Sequence, residues 1–565
     1  MSQTPEQTIA ELQQKIKDLE LQLKKAKDSS GYGLKWEEKP EIFEERAQNA
    51  LPLLKENKDL LIDNKSDLDH IIIEWDNYHA LSALNYTHKW KIDIIYIDPP
   101  YNTGKNDFVY NDHYVDPEDT YKHSKWLSFM KKRLILAKNL LSDEWVIFIS
   151  IDDNEEAQLK LLCDEIFWES SFINNFMRLH WKWKKNKQSR TLQQYCLCYW
   201  KKNRDDLPEW SMVKKAQWKF SNPDNDPRWD RFSWSISFSE ERSNKKSDKY
   251  FEITSPSGIV WKRQRMCSKE EMDEYLADNK IYFGNPPEYS NTPRIKIFPD
   301  DENELIPDNI LDNCWTTRKA QWELNWIIWM TTNEKWKLVP KFENPKPKEL
   351  IEHFISITDK ADNIIVLDFF AWSWTTWHAV LDLNNQDWWC RQFILCSNRE
   401  NTKEQPDKNI CKYITYERVK RVMQWYVSED SKNKKVEWLW WWNLRYYTTE
   451  FIEKKKSADD LRQSFIYLCD ELLCIKEDTF NEHKSEFLSD KLKCYQKNNH
   501  YTVILYDIRE IEKLQQLLST LDGKISVYIF SLSKDSCEEE LQEFSEKITI
   551  ENIPDDILET YKKIF

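Results

Sequence analysis

Apolar residues in this chain follow two alternating patterns, short strand-like runs and repeats with the spacing of a helix. Positions 92–97 read Ile-Asp-Ile-Ile-Tyr-Ile, which is typical of a strand buried on both faces. Between positions 68 and 155 the patterns predict strands at 71–74, 92–97 and 145–150, with helices at 79–84 and 124–140. This β-α-β-α-β order indicates a parallel sheet.

The same alternation returns in the second half of the chain after a long interruption. The patterns predict a helix at 347–355, a strand at 364–369, a helix at 375–383 and a strand at 391–396. From 160 to 330 the regularity fails, and segments such as Ser255-Pro256-Ser257-Gly258 are typical of turns between short strands. We therefore predict an α/β fold in which one sheet is split by an inserted domain.

The two ends of the chain are predicted to form separate units. Near the start, apolar residues repeat at spacings of three and four, namely Ile9, Leu12, Ile16, Leu19 and Leu23. This pattern is typical of a short coiled-coil helix, or of a helix packed on its own domain. The predicted domains are the helix at 1–31, the first part of the sheet at 32–158, the insertion at 159–330, the second part of the sheet at 331–415 and a C-terminal α/β unit at 416–565.

Tryptophan stands where a tight loop needs glycine. Positions 367–377 read Leu-Asp-Phe-Phe-Ala-Trp-Ser-Trp-Thr-Thr-Trp, and glycine at Trp372, Trp374 and Trp377 would give a strand and a loop that passes close to a cofactor. A chain of 565 residues should carry roughly 40 glycines. The 6 glycines and 29 tryptophans together come close to that number. We infer that most of these tryptophans are UGA codons that the source reads as glycine. Trp36 and Trp126 lie in contexts that suit tryptophan, and a truly tryptophan-rich protein is the alternative.

Charge and cysteine content limit the classes of function. The net charge of −15 argues against indiscriminate coating of nucleic acid, although it leaves room for a local basic surface. The candidate for DNA phosphate contacts is a run of five basic residues, Lys182, Lys184, Lys185, Lys187 and Arg190, for which a solvated loop is the alternative. No signal-like or membrane-spanning run is visible, which predicts a cytoplasmic protein with no membrane role. The twelve cysteines form no CxxC pair, so we expect reduced thiols and no metal site.

A short motif follows directly on the predicted strand at 92–97, where ligand sites of parallel sheets lie. It reads Asp98-Pro99-Pro100-Tyr101. The prolines have no N–H and stiffen the chain, so their carbonyls are expected to be free to face a ligand. The Asp98 carboxylate and the Pro99 carbonyl suit the two hydrogens of an exocyclic amine, and Tyr101 suits stacking on a planar base. We therefore predict that these four residues are catalytic.

These motifs resemble the β class of adenine-specific DNA methyltransferases, in which DPPY comes first, a target-recognition domain follows and an FxGxG cofactor loop comes last. The order in this chain is the same, with Asp98–Tyr101, the insertion and then positions 370–374. Further segments extend the resemblance to the modification (Mod) subunit of type III restriction-modification systems; they lie at 32–40, 74–81, 342–347, 393–396 and 438–447. The resemblance covers about 32 to 450 and is weak beyond.

The resemblance implies a Rossmann-like, S-adenosylmethionine-dependent methyltransferase that acts on adenine N6 in double-stranded DNA. Aspartate before Pro-Pro-Tyr favours adenine over cytosine. Residues implied to cradle the methionine part of the cofactor are Asp368, Phe369, Phe370, Ala371, Trp372, Ser373, Trp374 and Thr375. Glu400 is implied to bind the ribose hydroxyls, and Asp76 to face the cofactor adenine. A homodimer and a separate helicase-nuclease (Res) subunit are the implied partners.

The sequence is also compatible with other functions. A solitary DNA adenine methyltransferase would share the chemistry but have no nuclease partner. If the tryptophans are genuine, a catalytically dead DNA-binding protein is expected, because indoles would fill the cofactor space. Methylation of RNA or protein amines is disfavoured by the aspartate at position 98 and by the inserted domain.

Overall fold

The computed structural model describes most of the chain from Ala50 to Ile564. The described residues are 36, 39, 41, 50–104, 108–110, 113–116, 118–179, 193–201, 221–222, 226, 228, 231–298, 308–311, 317, 319–321, 345–358, 363–371, 375–399, 409–424, 426–430, 433–437, 442–453, 469–530, 537, 539–553 and 555–564. Several predicted features lie outside them: the helix at 1–31, the five basic residues between 182 and 190, Trp372, Ser373, Trp374 and Glu400.

The described strands and helices alternate along much of the chain. The strands are β1 (Ala50–Glu56), β2 (Asp69–Glu74), β3 (Ile92–Ile97), β4 (Val109–Tyr110), β5 (His113–Tyr114), β6 (Leu141–Ile151), β7 (Phe172–Leu179), β8 (Gln193–Trp200), β9 (Phe232–Ser235), β10 (Tyr250–Thr254), β11 (Val260–Gln264), β12 (Ile281–Tyr282), β13 (Arg294–Ile297), β14 (Ile310–Leu311), β15 (Ile365–Asp368), β16 (Gln392–Ser397), β17 (Tyr426–Asp430), β18 (Asn433–Glu437), β19 (Asn443–Glu453), β20 (Asn481–Glu482), β21 (Leu492–Lys497), β22 (His500–Leu505), β23 (Lys524–Phe530) and β24 (Ile548–Ile553). The α-helices are α1 (Asn77–Thr87), α2 (Lys122–Leu140), α3 (Glu156–Phe167), α4 (Lys269–Ala277), α5 (Lys348–Ser356), α6 (Thr375–Asp387), α7 (Glu417–Gln424), α8 (Asp470–Glu477), α9 (Ile511–Thr520) and α10 (Asp555–Ile564). Every strand and helix predicted for 68–155 and 347–396 is confirmed, with small shifts at the ends.

A large sheet forms the centre of the protein. Within the described ranges its strand order is β1-β19-β2-β16-β15-β3-β6-β8-β7-β14. The strands from β19 to β6 run parallel to one another, whereas β1 and β8 pair antiparallel at either side of them. Parallel neighbours need crossover connections, which the helices supply. The predicted α/β fold with a Rossmann-like sheet is confirmed.

Helices cover both faces of this sheet, and the side-chain alternation of β2 shows how. Ile71 and Ile73 belong to a core that includes Leu81 of α1 and Met130 of α2. Ile72 points the other way, into a core that includes residues of α5, α6 and α7. All three isoleucines are buried, as expected for parallel strands with helices on both sides. In sheets of this kind, ligands bind at the carboxyl ends of the strands.

The predicted domain boundaries divide segments that pair in the large sheet. Strands β7, β8 and β14 come from the segment 159–330, and β19 comes from 416–565. The rest of the described insertion has its own small sheet, β12-β13-β9, and a separate core that includes Ile253 and Met272. Strands β20 to β24 form a C-terminal sheet, and Tyr528 of this sheet and Tyr561 of α10 belong to the same core as residues of the large sheet. Of the described helices, none has the length and apolar character needed to cross a bilayer.

Candidate active site

Strands β3 and β15 lie side by side and run in the same direction. Leu367 pairs with Ile95, so both strands end at the same edge of the sheet. The segment Asp98–Tyr101 begins directly after β3, and Asp368 is the last residue of β15. The structure therefore brings together the two predicted motifs that the insertion separates in the sequence.

Asp98 and Tyr101 are hydrogen-bonded to each other at this edge. The Tyr101 hydroxyl donates to Asp98 Oδ1 at 2.8 Å, and the Asp98 side chain is 19% exposed. Burial, followed by the nearby Asp98 carboxylate, raises the pKa of Tyr101 well above its ordinary value. The hydroxyl therefore stays protonated at neutral pH and remains a donor. The Tyr101 hydroxyl therefore binds one oxygen of the Asp98 carboxylate and orients that carboxylate.

The two proline carbonyls differ in what they bind. The indole Nε1 of Trp126, in α2, donates to the Pro100 carbonyl at 2.7 Å, and both residues are buried. The expectation of a free carbonyl is therefore wrong at Pro100, because the fold itself uses that acceptor. No donor to the Pro99 carbonyl is found among the described residues. The Pro99 carbonyl oxygen can therefore accept the hydrogen bond that is predicted from the exocyclic amine.

Lys346 is a buried cation beside Asp98 and Tyr101. Its Nζ lies 3.4 Å from Asp98 Oδ1, donates to Gln194 Oε1 at 3.0 Å and also donates to the Tyr101 hydroxyl. Burial lowers the pKa of Lys346, and the Asp98 carboxylate opposes that shift. The lysine comes from the segment between the insertion and α5, so three distant parts of the chain meet at Asp98.

The Asp368 carboxylate accepts hydrogen bonds from two residues that follow it in the chain. Its Oδ2 accepts from Thr376 Oγ1 at 2.6 Å, and its Oδ1 accepts from the Phe370 amide at 3.0 Å. Burial raises the pKa of Asp368 to about 7. Thr375 Oγ1 donates to the Lys346 carbonyl at 2.8 Å, which links the start of α6 to the Asp98 cluster. Phe369, Phe370 and Ala371 are buried in the two cores.

Asp76 has two contacts of its own at the end of β2. Its carboxylate caps α1 by accepting from the Tyr78 amide at 2.9 Å. It also pairs with Arg133 Nη2 at 3.2 Å, and Arg133 is fully buried. The Asp76 side chain is nevertheless 33% exposed. These contacts explain how Asp76 is held, while its contact with a cofactor adenine stays a prediction.

A protein-family model described as DNA methylase matches residues 92–427, which is more than half of the chain. The chain belongs to this DNA methylase family. The matched range begins with β3 and includes both Asp98–Tyr101 and Asp368–Thr375, so the two motifs that meet at the sheet edge lie inside the family's shared region.

Relatives with known names include several restriction-modification proteins. The StyLTI Mod subunit of Salmonella typhimurium is 31% identical over 397 residues, which are 64% of this chain and 58% of the relative. The EcoP15I Mod subunit of Escherichia coli is 29% identical, with 61% of each chain covered. The type II methyltransferase M.KpnI of Klebsiella pneumoniae is 31% identical over 58% of this chain and 80% of its own. The chain spans only about three fifths of the length of these Mod relatives.

The described neighbours of the basic segment lie near the same ends of the strands as the candidate site. Strand β8 runs antiparallel to β6, so its first residue, Gln193, lies near the carboxyl end of β6. Leu179, the last residue of β7, pairs with Gln193. Gln194 contacts Lys346, as described above. The candidate phosphate contacts from Lys182 to Arg190 lie between these two strands in sequence and stay a prediction.

Sequence reasoning missed two side chains that shape the site. Lys346 lies in the segment 342–347 that carries part of the family resemblance, but nothing in that segment indicates that its charge lies beside Asp98. Trp126 was recognised as a suitable tryptophan, but its bond to Pro100 depends on how α2 packs across the end of β3. Neither contact has a local signal in the sequence.

Proposed function

We propose that this methylase transfers a methyl group from S-adenosylmethionine to N6 of adenine at specific sites in double-stranded DNA. The observation that carries the proposal is that Asp98–Tyr101 and Asp368 lie at the carboxyl ends of two neighbouring parallel strands, β3 and β15. Membership of the DNA methylase family supports the same chemistry. Aspartate at position 98 favours adenine as the target.

The protein's own residues account for substrate binding in this proposal. A target adenine leaves the duplex at an unstacking cost of a few kcal/mol. Its amine hydrogens are accepted by Asp98 and the Pro99 carbonyl, while Tyr101 contacts the ring. The bound cofactor would supply the methyl group by cleavage of its S–C bond, and Asp98 would accept the proton that N6 loses and pass it to solvent. Orientation supplies most of the rate, because sulfonium is already a good leaving group.

The residues at the sheet edge fit S-adenosylmethionine by their chemistry. The Asp76 side chain is 33% exposed and offers an acceptor just after β2. The segment from Asp368 to Thr375 starts at the end of β15. Asp76, Glu400 and this chain segment are the residues proposed to hold the cofactor, which supplies an electrophilic methyl group. Indole rings at Trp372 and Trp374 do not fit that role.

We also propose that many tryptophans of this sequence are glycines in the natural protein. Three described tryptophans support this, because each has a left-handed backbone at or just after the end of a helix: Trp90 with φ 59°, Trp168 with φ 70° and Trp388 with φ 64°. Such positions are where helices most often place glycine. Their side chains are 65%, 56% and 78% exposed. Trp126 differs, since its buried indole has a hydrogen-bond partner.

The biological setting proposed is the modification subunit of a type III restriction-modification system. The Mod relatives support this setting, and the proposed partners are DNA, a second copy of the chain and a Res subunit. The relationship to M.KpnI favours a second candidate, a DNA adenine methyltransferase that works without a Res (helicase-nuclease) partner. A gene for a helicase-nuclease beside this one, and co-purification of its product, distinguish the two.

Methyl transfer to double-stranded DNA tests the enzymatic proposal. Full-length protein, translated with the codon assignments of its source, is incubated with DNA and methyl-tritiated S-adenosylmethionine, and the modified base is identified by mass spectrometry. N6-methyladenine is the expected product. N4-methylcytosine contradicts the proposed base, and DNA binding without any transfer favours the catalytically dead alternative.

A further inference from the structure

The chain turns sharply directly after Tyr101. Asn102 has φ 56°, in the left-handed region, and its side chain is buried. Asparagine is one of the few residues other than glycine that adopts this conformation readily. The turn fixes the direction in which the chain leaves Tyr101, so whatever holds Asn102 also bears on Tyr101 and Asp98.

A buried carboxylate holds this turn. The Asn102 side-chain amide donates to Glu155 Oε1 at 2.6 Å, and Nδ1 of His123 lies 2.7 Å from the same oxygen. Glu155 lies four residues after the end of β6, and its side chain is fully buried. One oxygen thus joins the turn after Tyr101, the first turn of α2 and the segment before α3. We call this group of three residues the Glu155 clamp.

The cost of burying Glu155 suggests a role beyond stability. Its second oxygen, Oε2, has no hydrogen-bond partner among the described residues. Burial raises the pKa of Glu155, while Asn102, His123 and Lys122 act against that shift. A buried acid with one unused oxygen stabilises a fold poorly compared with an apolar residue of similar size. Unlike an apolar residue, the Glu155 carboxylate makes polar contacts with Asn102 and His123.

Helix α2 forms hydrogen bonds with the proposed catalytic segment on both sides of Tyr101. On one side, Trp126 donates to the Pro100 carbonyl at 2.7 Å. On the other side, Asn102 Nδ2 lies 3.4 Å from the Lys122 carbonyl and is bonded to Glu155. The segment from Pro100 to Asn102 is therefore fixed at each end by the first turns of one helix, and Glu155 supplies the shortest of these bonds.

We propose that Glu155 is a positioning residue for methyl transfer, which acts through Asn102 and His123 to hold Asp98 and Tyr101 in the geometry that receives the target amine. The role rests on the proposed methyltransferase function. Glu155 acts through other residues and is not itself assigned a contact with the reacting atoms. Its loss should therefore reduce the rate of transfer more than the binding of cofactor.

Substitutions of Asn102 and Glu155 separate positioning from folding. Asn102→Gly keeps the left-handed turn but removes the amide, and Glu155→Ala removes the acceptor. Both should lower kcat by about 10- to 100-fold, with KM for S-adenosylmethionine changed less than about twofold, since small misplacements of reacting groups have effects of this size. Glu155→Gln keeps an acceptor oxygen and should restore kcat to within about threefold of wild type. Asn498→Gly is the matched control, because Asn498 has φ 52° in the turn between β21 and β22, in the C-terminal unit.

Two kinetic results overturn the proposal. The first is a kcat within about twofold of wild type for both Asn102→Gly and Glu155→Ala. The second is an equal loss in the Asn498→Gly control, which would indicate a general effect of stability.

Hydrogen exchange tests the Glu155 clamp independently of methyl transfer. If the wild-type protein transfers no methyl group, that result counts against the proposed function and not against the clamp. The peptide that contains Tyr101 and Asn102 should exchange faster in Asn102→Gly and Glu155→Ala than in wild type. Unchanged exchange in both variants overturns the clamp.

Discussion

The indole nitrogen of Trp126 donates a hydrogen bond of 2.7 Å to the carbonyl oxygen of Pro100, and both groups are buried. This bond joins a helix to the segment proposed to be catalytic, and it uses one of the two proline carbonyls that were expected to be free for a ligand. It also identifies one tryptophan that the fold needs as tryptophan.

Replacement of Trp126 by phenylalanine should impair both stability and catalysis. The Pro100 carbonyl would lose its partner while buried, which costs about 1–3 kcal/mol. We expect a lower free energy of unfolding in denaturant titrations together with a lower kcat. Tyr528→Phe is the control, because it removes a buried hydrogen bond of 2.7 Å to Glu477 in the C-terminal unit and should affect stability alone. Unchanged kcat in Trp126→Phe would contradict the proposed role of the bond.

Asp98→Ala should abolish methyl transfer and leave cofactor binding largely intact. The carboxylate is the acceptor proposed for the amine, and the loss of such a group is expected to lower kcat by more than about 100-fold. Single-turnover methylation and calorimetric titration with S-adenosylmethionine measure the two quantities separately. Retained transfer would remove Asp98 from the mechanism.

Lys346 should give the reaction an alkaline limit. Burial lowers the pKa of Lys346, so the lysine loses its proton at a lower pH than an ordinary lysine. As pH rises through that lowered pKa, the ion pair with Asp98 is lost and kcat should fall. Lys346→Arg stays charged and should move the alkaline limb upwards or remove it. An identical limb in wild type and variant would assign it to another group.

Asp368 should make the folded state less stable as pH rises towards neutrality. Burial raises its pKa from 3.8 to about 7, so the folded state binds the proton more tightly than the unfolded state. The resulting contribution to stability is full below pH 3.8 and is lost as pH rises through about 7. Denaturant titrations of wild type and Asp368→Asn between these limits measure it as a difference. A difference that does not change with pH would contradict the raised pKa.

Glycine at the left-handed tryptophans should stabilise the protein. Trp388 has φ 64° and a side chain that is 78% exposed, so Trp388→Gly relieves about 1 kcal/mol of backbone strain. Thermal melting should show a higher midpoint for this variant and a lower one for Trp126→Gly, which loses buried contacts. The codons give a direct check: we expect UGA at 90, 168, 372, 374, 377 and 388, and UGG at 126. UGG at the six positions where UGA is expected would refute recoding.

The match between sequence and structure was closest where the chemistry is local. The strand at 92–97 and the polar motif after it could be read from an apolar run and from four adjacent residues. Lys346 and Glu155 could not be placed in this way, because their contacts with Asp98, Tyr101 and Asn102 depend on which strands are neighbours. The free carbonyl expected at Pro100 failed for the same reason, since α2 supplies the donor.

By itself, the sequence determined the α/β alternation, the strand that leads to Asp98 and the resemblance of two motifs to those of DNA methyltransferases. These depend on periodicity and on adjacent residues, which a linear sequence contains. Only the tertiary structure decided that β3 and β15 are neighbours, that Lys346 lies beside Asp98 and that Glu155 holds Asn102. Such contacts follow from strand order and helix packing, in which residues far apart in the chain are brought within a few ångströms.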